Sequence, residues 1–112
     1  MPHIVVEYTD QASSDIPKLL DVLHHALAAQ ETVDINAIKT RAIPVQDCLV
    51  GDGQKPNEFI HITLRLFFGR DEALRTKIAK TLHHKASEVL SPQSDVALSL
   101  EVVEMNPKTY VK

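Results

Sequence analysis

The residue with the most chemical promise stands second. Met1-Pro2 runs directly into His3-Ile4-Val5-Val6-Glu7-Tyr8. A small residue at position two commonly allows the initiator methionine to be removed, so the expectation is a mature chain that begins with proline. Its free amine is secondary and held in a ring. An α-amino group titrates near ~8, and burial or nearby cations lower that value because both disfavour the charged form. Such an amine can take up a proton near neutral pH and give it back, which is what general acid–base chemistry asks for.

The other reactive side chains suggest less. His24-His25 and His83-His84 are adjacent pairs, and neighbours on a helix point about 100° apart rather than converging. No histidine pair has the spacing and carboxylate partner of a metal site, so no metal is expected, and these pairs read as surface or interface residues. His3 and His61 alternate with apolar residues on strands. Cys48, the single cysteine, lacks a basic setting that would make it reactive and reads as a small apolar filler.

Positioning these groups requires elements, and the pattern supplies them. His3 to Tyr8 is a β-branched apolar run that reads as a strand. Thr9 to Ser14 is polar and loop-like, and Asp15 can cap a helix with Pro17 in its first turn. Ile16, Leu19, Leu20, Leu23, Ala26 and Leu27 recur at helical spacing, through about Ala29. Ala37 to Val45 reads as a second strand, with Lys39, Arg41 and Ile43 on one side and Ile38, Thr40 and Ala42 on the other. Pro44 places that strand at an edge or a bulge. Residues 50–57 form the clearest loop.

A third strand spans Phe59 to Phe68, a second helix Asp71 to about Leu90, and a fourth strand Ala97 to Glu104. Asp71 sits at the N-cap, Leu74, Ile78, Leu82, Ala86 and Val89 form the apolar face, and Ser91-Pro92 stops the helix.

The order is β-α-β, loop, β-α-β, and the halves look alike. His3-Ile4-Val5-Val6-Glu7-Tyr8 matches His61-Ile62-Thr63-Leu64-Arg65-Leu66, and Leu23-His24-His25 matches Leu82-His83-His84 at nearly the same offset. The expectation is one α/β (α+β) domain over residues 1–112, made of two pseudo-repeats of about 1–56 and 57–112. The tandem units give a four-stranded mixed sheet with two helices on one face. The other face needs a cover, and a symmetric oligomer supplies one.

Composition narrows the class further. In 112 residues, 44% are hydrophobic and 24% charged, ordinary for a folded domain. A net charge of −3 with no basic run argues against nucleic acid or an anionic membrane as partner. One cysteine suits a reducing compartment. With neither a leader nor an apolar run of ~20 residues in the sequence, the expected location is the cytoplasm.

Taken in order, Pro2-His3-Ile4-Val5-Val6-Glu7, Ile38-Lys39-Thr40-Arg41, Asp52-Gly53-Gln54, Phe59-Ile60-His61-Ile62-Thr63-Leu64, Gly69-Arg70 and Leu100-Glu101-Val102 span nearly the whole chain. This pattern resembles the tautomerase superfamily, and within it the 5-carboxymethyl-2-hydroxymuconate isomerase family. Asp-Gly-Gln followed by Phe-x-His-x-Thr-Leu is the most specific part. The resemblance implies a homotrimer whose sheets surround a barrel-like interior, with active sites near subunit boundaries. It implies an isomerase that moves a proton along an unsaturated 2-hydroxy-dicarboxylate, in the breakdown of aromatic acids such as homoprotocatechuate. The catalytic base carries over to Pro2 and carboxylate binding to Arg41 and Arg70. No metal or organic cofactor is implied.

The physical logic suits those residue types. A proton moving along a conjugated enol needs a weak base that can return it, and cations that hold the carboxylates. Arginine binds a carboxylate through two parallel hydrogen bonds and keeps its charge.

Two features depart from the family pattern. Lys39 stands where relatives often carry a further arginine, and joins Arg41 as a substrate-binding residue. Phe67-Phe68 precede Gly69-Arg70 where small residues are usual, which narrows the pocket. Two other readings compete with the isomerase: a tautomerase of another small enol or keto acid, and a non-catalytic oligomeric β-α-β-β-α-β module.

Overall fold

The structure is a computed structural model that describes residues 2–54, 58–90 and 95–112. Four strands and two helices alternate in two equal sets. Strand β1 (His3–Tyr8) leads through a 3-10 segment (Asp10–Asp15) into α1 (Ile16–Ala28), and a 3-10 turn (Ile35–Ala37) precedes β2 (Lys39–Pro44). The second set is β3 (Phe59–Phe67), α2 (Glu72–Val89) and β4 (Ala97–Met105). The sheet order is β2-β1-β3-β4. Each outer strand runs parallel to the strand that precedes it in its own half, and the halves meet antiparallel through β1 and β3.

Alternation along the strands divides the sheet into two unlike faces. Ile4 and Val6 of β1 and Ile60, Ile62, Leu64 and Leu66 of β3 are buried beneath the helices. Leu19, Leu23 and Leu27 of α1 and Ile78, Leu82 and Ala86 of α2 meet them in one cluster that draws on both halves. Burying each of these large aliphatic side chains contributes about 1.5–3 kcal/mol. His3, Val5 and Glu7 of β1, Lys39 and Arg41 of β2, and His61, Thr63 and Arg65 of β3 point the other way. Pro44 lies on the edge strand β2, where a missing N–H costs no ladder bond.

Several local expectations need correction. Asp15 does not cap α1, because the 3-10 segment runs straight into the helix; Ile16 N–H is already satisfied by the Ser13 carbonyl. The polar stretch after β1 is therefore ordered rather than a loop. Thr9 begins it, almost fully buried, and its hydroxyl accepts from Phe59 N–H at 3.0 Å and donates to Phe59 C=O at 3.3 Å. Strand β2 starts at Lys39 instead of Ala37, since Asp34 Oδ1 accepts from Asn36 N–H at 3.0 Å and starts a turn there.

Asp71 does cap α2, accepting from Leu74 N–H at 2.8 Å. The Ser91-Pro92 stop and part of the 50–57 loop lie outside the described residues. Among the described residues, no helix is long and apolar enough to cross a membrane.

Candidate active site

Pro2 enters the sheet one residue ahead of β1 and is buried on the helix side. Its carbonyl accepts from Lys39 N–H at 3.0 Å, which fastens the start of β1 to the start of β2. Beside it lies a cavity of about 180 Å³. Val33, Ala37, Leu66 and Phe67 give it apolar walls, and Thr32, Asp34 and Arg70 bring polar groups.

Arg70 owes its place to the residue before it. Gly69 takes a φ of 125°, a region that L side chains rarely enter, and turns the chain sharply out of β3. The guanidinium then folds back. One Nη donates to Thr32 Oγ1 at 3.0 Å and the other to the Phe67 carbonyl at 3.4 Å. Its Nε is buried and has no partner among the described residues. A buried donor left unpaired costs about 1–3 kcal/mol, more when charged. The backbone behind Arg70 is held as well, since Arg75 Nε donates to the Arg70 carbonyl at 3.2 Å.

Arg41 and Lys39 are not part of this arrangement. Both project from β2 on the face away from the helices, in register with Val5 and His3. Within one subunit, then, Pro2 meets Arg70 while Arg41 and Lys39 stand across the sheet. Parity along β2 explains this: the side opposite Thr40 and Ala42 is the side opposite Pro2. Phe67 and Phe68 also part ways, for Phe67 lines the proline cavity while Phe68 is exposed.

Arg41 finds a different partner. Its Nη1 donates to His3 Nδ1 at 2.9 Å, and His3 Nε2 lies 2.8 Å from the Tyr110 hydroxyl. Desolvation lowers the His3 pKa from its ordinary value, and the cations of Arg41, Lys39, the amino terminus and Arg65 lower it further. Deeper along the same face, His61 sits between Ser99 Oγ at 2.7 Å and Glu101 Oε2 at 2.6 Å. His24 Nδ1 meets Thr40 Oγ1 at 2.7 Å and ties α1 to β2, a structural bond in a residue expected at the surface or an interface. Among the described residues no group of histidine, cysteine and carboxylate side chains converges as a metal site.

Sequence reasoning missed Thr32 and Asp34 in the cavity. Nothing local marks them, because they follow α1 in a polar stretch and meet Arg70 only through the fold.

A family profile of 5-carboxymethyl-2-hydroxymuconate isomerases matches residues 2–112. The chain is 29% identical over 117 residues to a 5-carboxymethyl-2-hydroxymuconate Delta-isomerase of Escherichia coli, covering 100% of this chain and 93% of that protein. The crystal structure of a 5-carboxymethyl-2-hydroxymuconate isomerase from Deinococcus radiodurans R1 superposes with a TM-score of 0.89 at 26% identity, over 99% of this chain and 87% of that one. A fused 4-OT described as a symmetric trimer shares the fold, with a TM-score of 0.66 at 17% identity over 91% of this chain and 85% of its own.

Proposed function

The chain belongs to the 5-carboxymethyl-2-hydroxymuconate isomerase family, and from that premise we propose that it moves a proton along an unsaturated 2-hydroxy-dicarboxylate such as 5-carboxymethyl-2-hydroxymuconate, with Pro2 as general base. Removal of Met1 frees the Pro2 amine. The neutral amine takes a proton from one end of the conjugated dienol, and the resulting ammonium returns it to a carbon further along, leaving the ketone. Atoms balance, and the amine ends as it began. Arg70 holds a substrate carboxylate, and its charge beside Pro2 favours the neutral amine.

The observation that carries this reading is the shared cavity of Pro2 and Arg70. Replacing Pro2 with Ala tests it, because alanine supplies a primary amine without the ring. Ketonisation of a 2-hydroxymuconate should slow by about 10²-fold or more in kcat, the scale of a lost acid–base group. A rate within twofold of the parent protein rejects the assignment.

The proposal includes a homotrimer, since the sheet face away from the helices carries charged and apolar side chains that a neighbouring copy can cover. In that assembly Arg41 and Lys39 bind substrate as cations reaching the proline cavity of an adjoining copy. The setting is the cytoplasmic breakdown of aromatic acids such as homoprotocatechuate.

A second reading, tautomerisation of a smaller enol acid, draws on the cavity itself. At about 180 Å³, with Phe67 as one wall, it falls below the ~300–1,000 Å³ usual for ligand sites. Rates on phenylpyruvate enol and on muconate enols separate the two.

A further inference from the structure

An arginine on a strand has many directions open to it, and holding one of them costs side-chain entropy. Arg41 is given its direction by an imidazole. Its Nη1 lies 2.9 Å from His3 Nδ1, and among the described residues no carboxylate pairs with it. The nearby acid of β4, Glu104, is turned toward Arg75 at 3.7 Å.

The donors fix how these hydrogen bonds run. Arginine has no acceptor, so Arg41 donates and the lone pair sits on His3 Nδ1. The ring proton is then on Nε2, 2.8 Å from the Tyr110 oxygen that accepts it. A ring protonated on Nδ1, or on both nitrogens, would turn an N–H toward the guanidinium. Tyr110 thus selects the tautomer that Arg41 needs. Tyr110 is itself held in place. Asn106 closes the turn before it, its carbonyl accepting from Thr109 N–H at 3.1 Å and its Oδ1 from Lys108 N–H at 2.9 Å. The Tyr110 ring then meets Phe67 edge-on at 5.4 Å and His3 at 5.8 Å.

We propose that His3 and Tyr110 are positioning residues for the reaction: the neutral imidazole, its tautomer set by Tyr110, aims the Arg41 guanidinium at a substrate carboxylate. The inference rests on the reading of Arg41 as a substrate-binding residue and makes that role depend on the protonation of His3. Arg41 and Lys39 face His3 from β2, Arg65 from β3, Tyr110 from the turn, and Glu104 lines the same pocket from β4. Burial and the cations keep the ring neutral at neutral pH. In acid, a second proton on Nδ1 breaks the bond to Arg41.

Ketonisation of a 2-hydroxymuconate by the full-length protein, read as KM and kcat across pH, tests this. His3→Leu removes the acceptor and should raise KM about tenfold with kcat within about threefold. His3→Asn puts an amide oxygen where Nδ1 was and should recover KM at neutral pH. Below ~6.5 the parent KM should rise more steeply than that of His3→Asn, whose amide does not titrate. Pro2 and the substrate titrate alike in both proteins, so the difference belongs to His3. Tyr110→Phe should raise KM severalfold, and ¹⁵N NMR of His3 should show the ring proton moving onto Nδ1. Arg41→Ala separates the two claims. An unchanged KM there removes the substrate role of Arg41 and the aiming with it. A raised KM in Arg41→Ala beside an unchanged KM in His3→Leu and Tyr110→Phe overturns the positioning alone. So does a KM for His3→Asn that climbs in acid as steeply as the parent's, a comparison that decides even where His3→Leu fails to fold.

Discussion

Arg70 shows how a single side chain can be placed for chemistry by neighbours distant in sequence. Thr32 holds one of its nitrogens from 38 positions away and the Phe67 carbonyl holds another, while Nε stays buried. If that placement matters for substrate binding, Thr32→Val should raise KM about tenfold with a smaller change in kcat, because a hydrogen bond to a charged group is lost without loss of volume. Thr32→Ser restores the hydroxyl and should restore KM. Steady-state kinetics on the three proteins check this, and an unchanged KM in Thr32→Val would remove Thr32 from the site. The sequence pointed to Pro2 and Arg70 through their motifs, but not to Thr32. A threonine after a helix has no spacing signature, and its function exists only once α1 and β3 lie side by side.

At the scale of elements, strand alternation and helical periodicity were legible because a period of two or 3.6 is imposed by burial on one side. Ile4 and Val6, Leu19 and Leu23, Ile78 and Leu82 all went where their spacing put them. The boundaries were less legible. Asp15 looked like a cap because capping is a local signal, yet the 3-10 segment ahead of it already satisfied the backbone. The turn at 106–110 carried no apolar period at all, and its contact with His3 spans 107 positions.

That contact makes the start of β1 sensitive to acid. His3 faces Arg41 and Lys39 from β2, Arg65 from β3 and Tyr110 from the turn, and its pKa is lowered in the folded protein. The unfolded chain therefore binds the proton more readily. Stability from this group is fully present above the ordinary histidine value near ~6.5 and is lost as pH falls through the lower folded value. Thermal melts of the parent protein and of His3→Gln from neutral to mildly acid pH should show the parent losing more stability on acidification. An equal or smaller loss in the parent contradicts the arrangement.

For the molecule as a whole, one face of the sheet is closed by helices and the other bears Lys39, Arg41, Arg65, Glu7 and His61. The need for a cover was readable from the count of apolar stripes, since two helices can protect one face only. That Arg41 stands on the face opposite Pro2 within a subunit was not readable, because it depends on strand parity across β1 and β2. Sedimentation or light scattering should give a solution mass three times the 12.5 kDa of one chain. A monomer at micromolar concentration contradicts the trimer and with it the substrate role of Arg41 and Lys39.

The central claim is a neutral secondary amine at Pro2 beside the Arg70 guanidinium. A ¹⁵N NMR titration of the proline nitrogen in the native protein measures it directly. The account predicts a titrating amine whose midpoint falls below the ordinary α-amino value of ~8. A proline nitrogen that does not titrate because Met1 is still attached, or one whose midpoint lies at or above that value, contradicts it.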